Sequence, residues 1–230
     1  MTMIAVKLQT VRSRIAAACL AAGRDPAQVR LLAVSKTFGP EAVAQARAAG
    51  QTAFGENYIQ EAVEKMAALR ALALEWHCIG PVQSNKTRLV AENFAWVQTL
   101  ERLKIAQRLS EQRPAQLAPL QVCIQVNVDG GPTKSGVAPD QALELARALQ
   151  ALPRLQLRGL MCIPEPAPDF AAACAVFARA KALFDRLNLA GLRLDTLSMG
   201  MTDDLEAAIH SGSTMVRVGT AIFGGRARVA

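Results

Sequence analysis

The sequence of 230 residues has few aromatic side chains, which make up only 4% of it. None of them lies within the densest basic cluster, formed by Arg102, Lys104, Arg108 and Arg113. Proteins that bind single-stranded nucleic acid stack the bases on such aromatics. Despite the net charge of +7, we therefore favour the solvated face of an amphipathic helix over a nucleic-acid site for these four cations.

Cysteine and histidine are present but lack the patterns of a metal site. The five cysteines are odd in number and show no C-x-x-C spacing, and neither His77 nor His210 lies at ligand spacing from a cysteine. We expect no metal, and we expect the cysteines to be thiols of a reducing cytoplasm. His77 is predicted to be a hydrogen-bonded core residue of a strand, and His210 to close a helix, where its cationic form meets the helix dipole favourably.

Long hydrophobic runs are also missing, since no apolar stretch reaches the roughly 20 residues that a membrane span requires. The stretch 15–22 follows two arginines and is similar to a signal-peptide core. However, apolar residues recur at helical spacing over the first 22 positions, and Gly23 provides a helix stop. We predict an amphipathic helix over about 3–22 and a soluble, cytoplasmic protein without membrane contact.

After this helix, short β-rich apolar runs alternate with helical segments. The strand candidates number eight, at 31–35, 53–55, 76–80, 96–100, 122–126, 157–163, 196–199 and 215–218. The segments 41–49, 59–72, 85–92, 102–112, 139–152, 170–187 and 203–210 are long enough to be crossover helices. The pattern predicts an α/β fold with one domain over 1–230, a single-domain (β/α)8 TIM-type barrel over about 30–225. A doubly wound sheet usually has fewer strands and is our second choice; a monomer is the expected state.

Lys36 directly follows the first apolar strand, at the carboxyl end where barrels build their sites. An amine at the rim of a low-dielectric barrel is more easily neutral, which suits attack on a carbonyl. A lysine that simply ends a strand and points to solvent fits the same residue equally well. The sequence pattern around Lys36 leaves both interpretations open.

Two segments after the seventh and eighth strands suit a phosphate. The first, 197–203, leads into a helix that Thr202 or Asp203 can cap, and the second contains Gly219 and Thr220. Unpaired backbone N–H groups and the helix dipole favour an anion there, and barrels often bind phosphate after these two strands. Ordinary turn chemistry is the alternative for each segment.

Arg217 lies within an otherwise apolar strand, and a buried guanidinium is costly unless it is paired or hydrogen-bonded. It is either part of a structural ion pair or faces a ligand. We favour the ligand, because the strand ends beside Gly219 and Thr220.

Eight motifs in order along nearly the whole chain resemble those of the pyridoxal phosphate homeostasis protein family. They are 33–37, 54–58, 76–80 with 83–86, 125–127, 134–136, 157–164, 197–201 and 212–224. The sequence departs from the family pattern at Pro81 and Val82 and over 98–101, which leaves the role of the loop after the third strand open.

The resemblance implies the pyridoxal 5′-phosphate (PLP) binding barrel of alanine racemase without its second β domain. In that fold Lys36 would hold PLP as a Schiff base, with Lys134 as the other lysine to consider. Ser198, Gly219 and Thr220 would bind the phosphate, Arg217 would face the pyridine nitrogen, and Asn57 would line the pocket.

The family resemblance also implies a PLP carrier or regulator without catalytic turnover, whose partners would be apo forms of PLP-dependent enzymes. The alternatives are a racemase-like PLP enzyme acting on amino acids, and a barrel enzyme whose Lys36 forms a Schiff base with a phosphorylated sugar. The related racemases draw a tyrosine base from a second domain. Here the chain ends six residues after Gly224 and Tyr58 is its one tyrosine, so we expect the carrier.

Overall fold

The structure, a computed structural model, describes residues 2–131 and 134–225. Eight parallel strands close into a barrel in sequence order, with the last pairing to the first. They are β1 (Arg30–Val34), β2 (Ala53–Glu56), β3 (Glu75–Cys78), β4 (Trp96–Leu100), β5 (Leu120–Gln125), β6 (Leu155–Met161), β7 (Thr196–Ser198) and β8 (Met215–Val218). The predicted (β/α)8 barrel is confirmed, and the doubly wound alternative is wrong.

Helices alternate with these strands around the barrel. They are α1 (Met3–Ala21), α2 (Pro40–Ala48), α3 (Ile59–Ala68), α4 (Thr87–Asn93), α5 (Leu103–Gln112), α6 (Ala142–Gln150), α7 (Phe170–Leu189), α8 (Leu205–His210) and α9 (Thr220–Phe223). Short 3₁₀ turns span Pro26–Gln28, Arg70–Leu72 and Ser84–Lys86. The predicted first helix and crossover helices are all present, whereas α9 was not predicted, because one helical turn carries too little periodicity to be read.

Two expectations about the ends of helices are wrong. The N-cap of α8 is Asp204 rather than Thr202 or Asp203, so the loop after β7 is longer than predicted. Arg113, expected on a solvated face, is only 5% exposed. It follows the last residue of α5, where its guanidinium donates to the carbonyls of Ala91 and Phe94. These bonds compensate for its burial.

The side chains of the strands divide into an inner and an outer set, because successive residues point to opposite faces. Most of the apolar core lies between the strands and the helices. Smaller apolar clusters fill the barrel interior: Leu32, Val34, Ala53, Ile79 and Met215 in one, and Trp96, Cys123 and Met161 in the other. Leu32 of β1 is in register with Arg217 of β8. The guanidinium of Arg217 therefore projects into the barrel.

The remaining general expectations concern the cysteines and the membrane. All five cysteines are unpaired, as predicted, and four of them are buried. Within the described parts of the chain, no helix is long and apolar enough to cross a membrane.

Candidate functional site

The predicted site residues come together at the carboxyl ends of four neighbouring strands. These strands lie side by side in the order β7, β8, β1, β2. Ser198 ends β7, Arg217 lies in β8 with Gly219 and Thr220 after it, Lys36 follows β1, and Asn57 follows β2. Carboxyl ends of parallel strands meet at one rim, which is where α/β barrels carry their sites.

The turn that carries Lys36 is held on both sides by groups from α3. Lys65 donates from Nζ to the carbonyl oxygen of Ser35 at 2.9 Å. The backbone N–H of Thr37 donates to Oε1 of Glu61 at 2.9 Å. Thr37 has a φ of 67°, a left-handed conformation that is unusual for a β-branched residue and persists only where the surroundings impose it. Lys36, half-buried between these two residues, therefore projects from a defined backbone.

Glu56 completes this arrangement from the end of β2. Its Oε1 accepts from the hydroxyl of Ser35 and from Nζ of Lys65, both at 2.6 Å. Glu56 is 1% exposed and Lys65 is 4% exposed. Burial raises the pKa of Glu56, and the bond and charge of Lys65 partly offset this. Oε2 of Glu56 is buried and has no hydrogen-bond partner within the described chain, so the carboxylate depends on Lys65.

Sequence reasoning missed Glu56, Glu61 and Lys65. A signal was present, since Lys65 falls at helical spacing from Ile59 and Ala62, both of which are buried. A charged residue on the buried face of a helix needs a partner inside the protein. The helical pattern of the segment 59–72 by itself predicts only a crossover helix.

The turn after β8 lies directly against the strand that carries Lys36. A Cβ added to Gly219 would meet the carbonyl oxygen of Val34 at 3.1 Å, closer than most such contacts. The ring of Phe38, two residues beyond Lys36, packs on that of Phe223 in α9 with centroids 5.3 Å apart. The lysine turn therefore packs against both Gly219 and the end of α9.

The start of α9 presents backbone donors at this rim. Gly219 is its N-cap; the N–H groups of Ile222 and Phe223 donate to the carbonyl of Gly219, whereas those of Thr220 and Ala221 have no acceptor within the helix. Thr220 is exposed. In the neighbouring loop after β7, the carbonyl of Gly200 accepts from the N–H of Arg217 at 3.0 Å, which ties this loop to the strand that leads to Gly219 and Thr220.

Arg217 is buried, with 4% of its surface exposed. Its Nη1 donates to the carbonyl oxygen and to Oγ of Ser198 at 2.8 and 2.9 Å, and its Nη2 donates to the carbonyl of Cys162 at 2.9 Å. Among the described residues, no carboxylate lies within ion-pair distance of it. Burial lowers the pKa of Arg217. The structural ion pair considered from the sequence is therefore absent among the residues that the structure describes.

Ser198 is placed differently from the other predicted phosphate residues. Its side chain points into the barrel, is fully buried, and donates from Oγ to Oε1 of Gln98 at 2.7 Å. The hydroxyl thus lies beneath the loop and beside Arg217. Its assignment to the phosphate stays a prediction.

Asn57 lines a cavity of about 200 Å³ at the mouth of the barrel, together with Thr99, Glu101, Gln125 and Ser135 among others. The cavity also contacts Pro81 and Val82, the positions at which the sequence departs from the family pattern. A Cβ added to Gly80 would lie 2.2 Å from the carbonyl oxygen of Asn57. Only glycine at position 80 therefore allows the loop after β3 to approach Asn57 this closely.

Comparison with known proteins identifies the family. A family model described as the N-terminal domain of alanine racemase matches residues 6–227. A pyridoxal phosphate homeostasis protein of Pseudomonas aeruginosa is 60% identical over 226 residues, which cover 98% of this chain and 97% of that protein. The chain belongs to the pyridoxal phosphate homeostasis protein family. A second relative in this family, from Escherichia coli, is 52% identical over 229 residues and 98% of both chains.

Solved structures similar to this member of the pyridoxal phosphate homeostasis family agree with its fold. PipY of Synechococcus elongatus with PLP bound matches with a TM-score of 0.85 and 36% identity, covering 96% of this chain and 100% of that one. Alanine racemase of Corynebacterium glutamicum matches with a TM-score of 0.64 and 22% identity, covering 97% of this chain and 62% of the racemase. The family resemblance and the relation of the barrel to alanine racemase are thereby confirmed.

Proposed function

We propose that this chain binds PLP at the carboxyl end of its barrel and takes part in PLP homeostasis in the cytoplasm. It holds the cofactor as a Schiff base on Nζ of Lys36 and supplies it to, or buffers it for, apo PLP-dependent enzymes. The observation that carries the proposal is the turn of Lys36, fixed by Lys65 and Glu61 on either side and packed against Phe223 of α9. Relatives named for PLP homeostasis, and PipY with its bound PLP, support it.

The donor set at the rim suits this cofactor. PLP supplies an aldehyde that condenses with an amine, with loss of water, and a ring that withdraws electrons. Lys36 offers the amine, and Asn57 lines a cavity at the mouth of the barrel. The backbone donors around Gly219 and Thr220 suit the phosphate, while Ser198 lies beneath them with its hydroxyl donating to Gln98. Arg217 is the group that faces the pyridine nitrogen.

We further infer that the protein does not turn amino acids over. A protonated pyridine nitrogen makes the ring a strong electron sink. A guanidinium against that nitrogen opposes its protonation, because like charges at hydrogen-bonding distance raise the free energy of the charged form. The burial of Arg217 and its bonds to two backbone carbonyls hold the cation in place. The sink is therefore weak.

The test is the absorbance spectrum of purified protein incubated with PLP, before and after borohydride reduction, followed by mass mapping of the modified lysine. We expect a visible band and an adduct on Lys36 that Lys36→Ala abolishes. Lys134→Ala is the matched control, since the Lys134 ammonium is also near the rim and pairs with Glu165 at 2.8 Å. It should keep both band and adduct. Pyridoxal, which lacks the phosphate, should bind at least about tenfold more weakly, because charge-assisted bonds are lost.

Three results would contradict parts of this proposal. An adduct that persists in Lys36→Ala would assign the cofactor to another lysine. Equal affinity for pyridoxal and PLP would exclude the phosphate site around Gly219. Steady racemisation of an L-amino acid, above the rate with free PLP and followed by chiral chromatography, would favour the enzyme instead.

A further inference from the structure

Polar side chains form a continuous hydrogen-bonded chain through the interior of the barrel. Arg217 Nη1 lies 2.9 Å from Ser198 Oγ, which lies 2.7 Å from Gln98 Oε1. Gln98 Nε2 lies 3.0 Å from His77 Nδ1, and His77 Nε2 lies 2.8 Å from Glu75 Oε1. The chain thus leads from the rim with Lys36 to the amino-terminal end of the barrel.

The chemistry of the groups gives every bond in this chain the same direction. A guanidinium can only donate, so Ser198 Oγ accepts from Arg217 and passes its own hydrogen to Gln98 Oε1. The Gln98 amide then donates from Nε2 to His77 Nδ1. His77 carries its hydrogen on Nε2 and donates it to Glu75. This arrangement requires a neutral His77, and burial lowers the pKa of His77 in agreement with it.

The two ends of the chain are anchored in different ways. At the amino-terminal end, Glu75 also accepts from Arg30 at 2.7 Å, and both side chains reach solvent. The ring of His77 stacks on that of Trp96, with centroids 5.0 Å apart. At the other end the guanidinium of Arg217 is held by carbonyls and by the hydroxyl of Ser198. The hydroxyl is the one of these acceptors that can rotate, and Gln98 sets its direction.

Burying these polar side chains in the barrel costs desolvation free energy. Ser198, Gln98 and His77 are all fully buried, and buried polar groups must recover their desolvation through hydrogen bonds. The apolar residues that fill the rest of the interior have no such requirement. A fully satisfied polar network does, however, fix the orientation of each member.

We propose that His77 and Gln98 are positioning residues of the cofactor site, which orient the hydroxyl of Ser198 and, through it, the guanidinium of Arg217. This inference rests on the proposed function, because the position of Arg217 affects the bound cofactor only if PLP occupies the rim above it.

The experiment interrupts the hydrogen-bonded chain at two positions, each with a substituted side chain of similar shape. His77→Phe keeps an aromatic ring against Trp96, and Gln98→Met keeps the length of the side chain. We expect both variants to shift the visible band of bound PLP and to release PLP roughly tenfold faster, as for coupled members of one network. His77→Asn should stay close to wild type, since its Oδ1, attached to Cγ as Nδ1 is, can still accept from Gln98.

Cys123→Ala is the control for a purely structural effect. Cys123 is fully buried in the same interior and lies outside the chain, so the variant should lower the Tm of the apo protein without changing the band or the release rate. If His77→Phe and Gln98→Met both show the wild-type PLP band and the wild-type rate of PLP release, the proposal is wrong. If only one of the two variants folds, its band and release rate decide the question. A wild-type protein without a borohydride adduct on Lys36 would instead refute the proposed function, and this inference with it.

Discussion

Under the proposed function, Arg217 is the residue expected to keep bound PLP unreactive. Its cation has carbonyl and hydroxyl acceptors but no carboxylate within ion-pair distance in the described chain. Hydrogen bonds to dipoles hold the charge without neutralising it. The positive charge of Arg217 therefore has no anionic partner among the described residues.

Replacing Arg217 with Gln should make the bound cofactor more reactive. Gln removes the charge but can still donate to one of the carbonyls, whereas Glu would place a carboxylate against two carbonyl oxygens. We expect an altered absorbance band of bound PLP and a higher rate of the slow transamination that PLP undergoes with added amino acid. The free energy of unfolding should fall by about 1–3 kcal/mol. Absorbance, product analysis and urea unfolding measure these changes.

Arg217→Lys is the matched control for Arg217→Gln, because it keeps a cation at the same place. It should stay as unreactive as wild type despite losing hydrogen bonds. If Arg217→Gln binds PLP with the wild-type band and reactivity, the guanidinium does not face the ring nitrogen.

At the scale of elements, the turn between β1 and α2 depends on α3 and the end of β2. Lys65 reaches from α3 into a fully buried position to bind both Ser35 and Glu56. A buried ion pair is weak evidence of a stability gain, since desolvation offsets the attraction. Its role here is to fix the backbone on either side of Lys36, so that the amine has one location.

Lys65→Met should therefore lower the free energy of unfolding by more than the similar sizes of the two side chains suggest. It leaves the carboxylate of Glu56 buried without a cation, which costs about 3–5 kcal/mol in other proteins. Glu56→Gln, which keeps an acceptor for Ser35, should lose less. We expect the double variant to be more stable than Lys65→Met alone, as measured by urea unfolding of the apo protein.

Lys65→Met should also slow formation of the PLP adduct on Lys36, followed by borohydride trapping over time. Lys181→Met is its control, since Lys181 pairs with Asp185 on the exposed surface of α7 and surface pairs contribute at most about 1 kcal/mol. If the double variant Lys65→Met/Glu56→Gln is less stable than Lys65→Met, the loss of Lys65 does not leave an unpaired buried charge on Glu56.

At the scale of the whole molecule, the barrel could be predicted because its signals are local. Each strand is a short apolar run bounded by turn residues, and each crossover helix is long enough to be recognised. The polar contacts inside the barrel could not be predicted in the same way. Gln98 and Ser198 meet across the barrel although they are 100 positions apart, and nothing local to either residue indicates the other.

In the candidate site, too, the features that are local in sequence could be predicted and the contacts between distant elements could not. Lys36 and Gly219 were recognisable because they follow strands, where barrels place their sites. The position of Lys65 on the buried face of α3 indicated that it needs a partner, but that partner, Glu56, belongs to a different element and could not be read from the pattern. Arg217 was noticed as a charge in an apolar strand, but its acceptors are backbone carbonyls, which every residue has. The sequence pattern could therefore indicate that it needed partners without indicating which.

The free energy of unfolding of the protein should decline as the pH falls from neutral. The hydrogen-bonded side chains of His77 and Glu75 inside the barrel should be one cause. Burial lowers the pKa of His77, so below its ordinary value of 6.5 the unfolded state takes up a proton that the folded state refuses. Burial alone would raise the pKa of Glu75, but His77 and Arg30 outweigh it and lower the pKa from 4.5 to about 2. In both cases the unfolded state binds more protons, so acid favours unfolding.

The two groups act in successive pH windows. The contribution of His77 is lost first, as the pH falls below about 6.5, and that of Glu75 follows between pH 4.5 and about 2. Because the Glu75 side chain is 34% exposed, we discount its shift for solvent screening to about 1–2 kcal/mol. Urea unfolding of the apo protein across this range measures the decline. Glu75→Gln should flatten the lower window and His77→Phe the upper one. An unfolding free energy that stays constant from pH 7 to pH 4 in the wild type would contradict a neutral, buried His77.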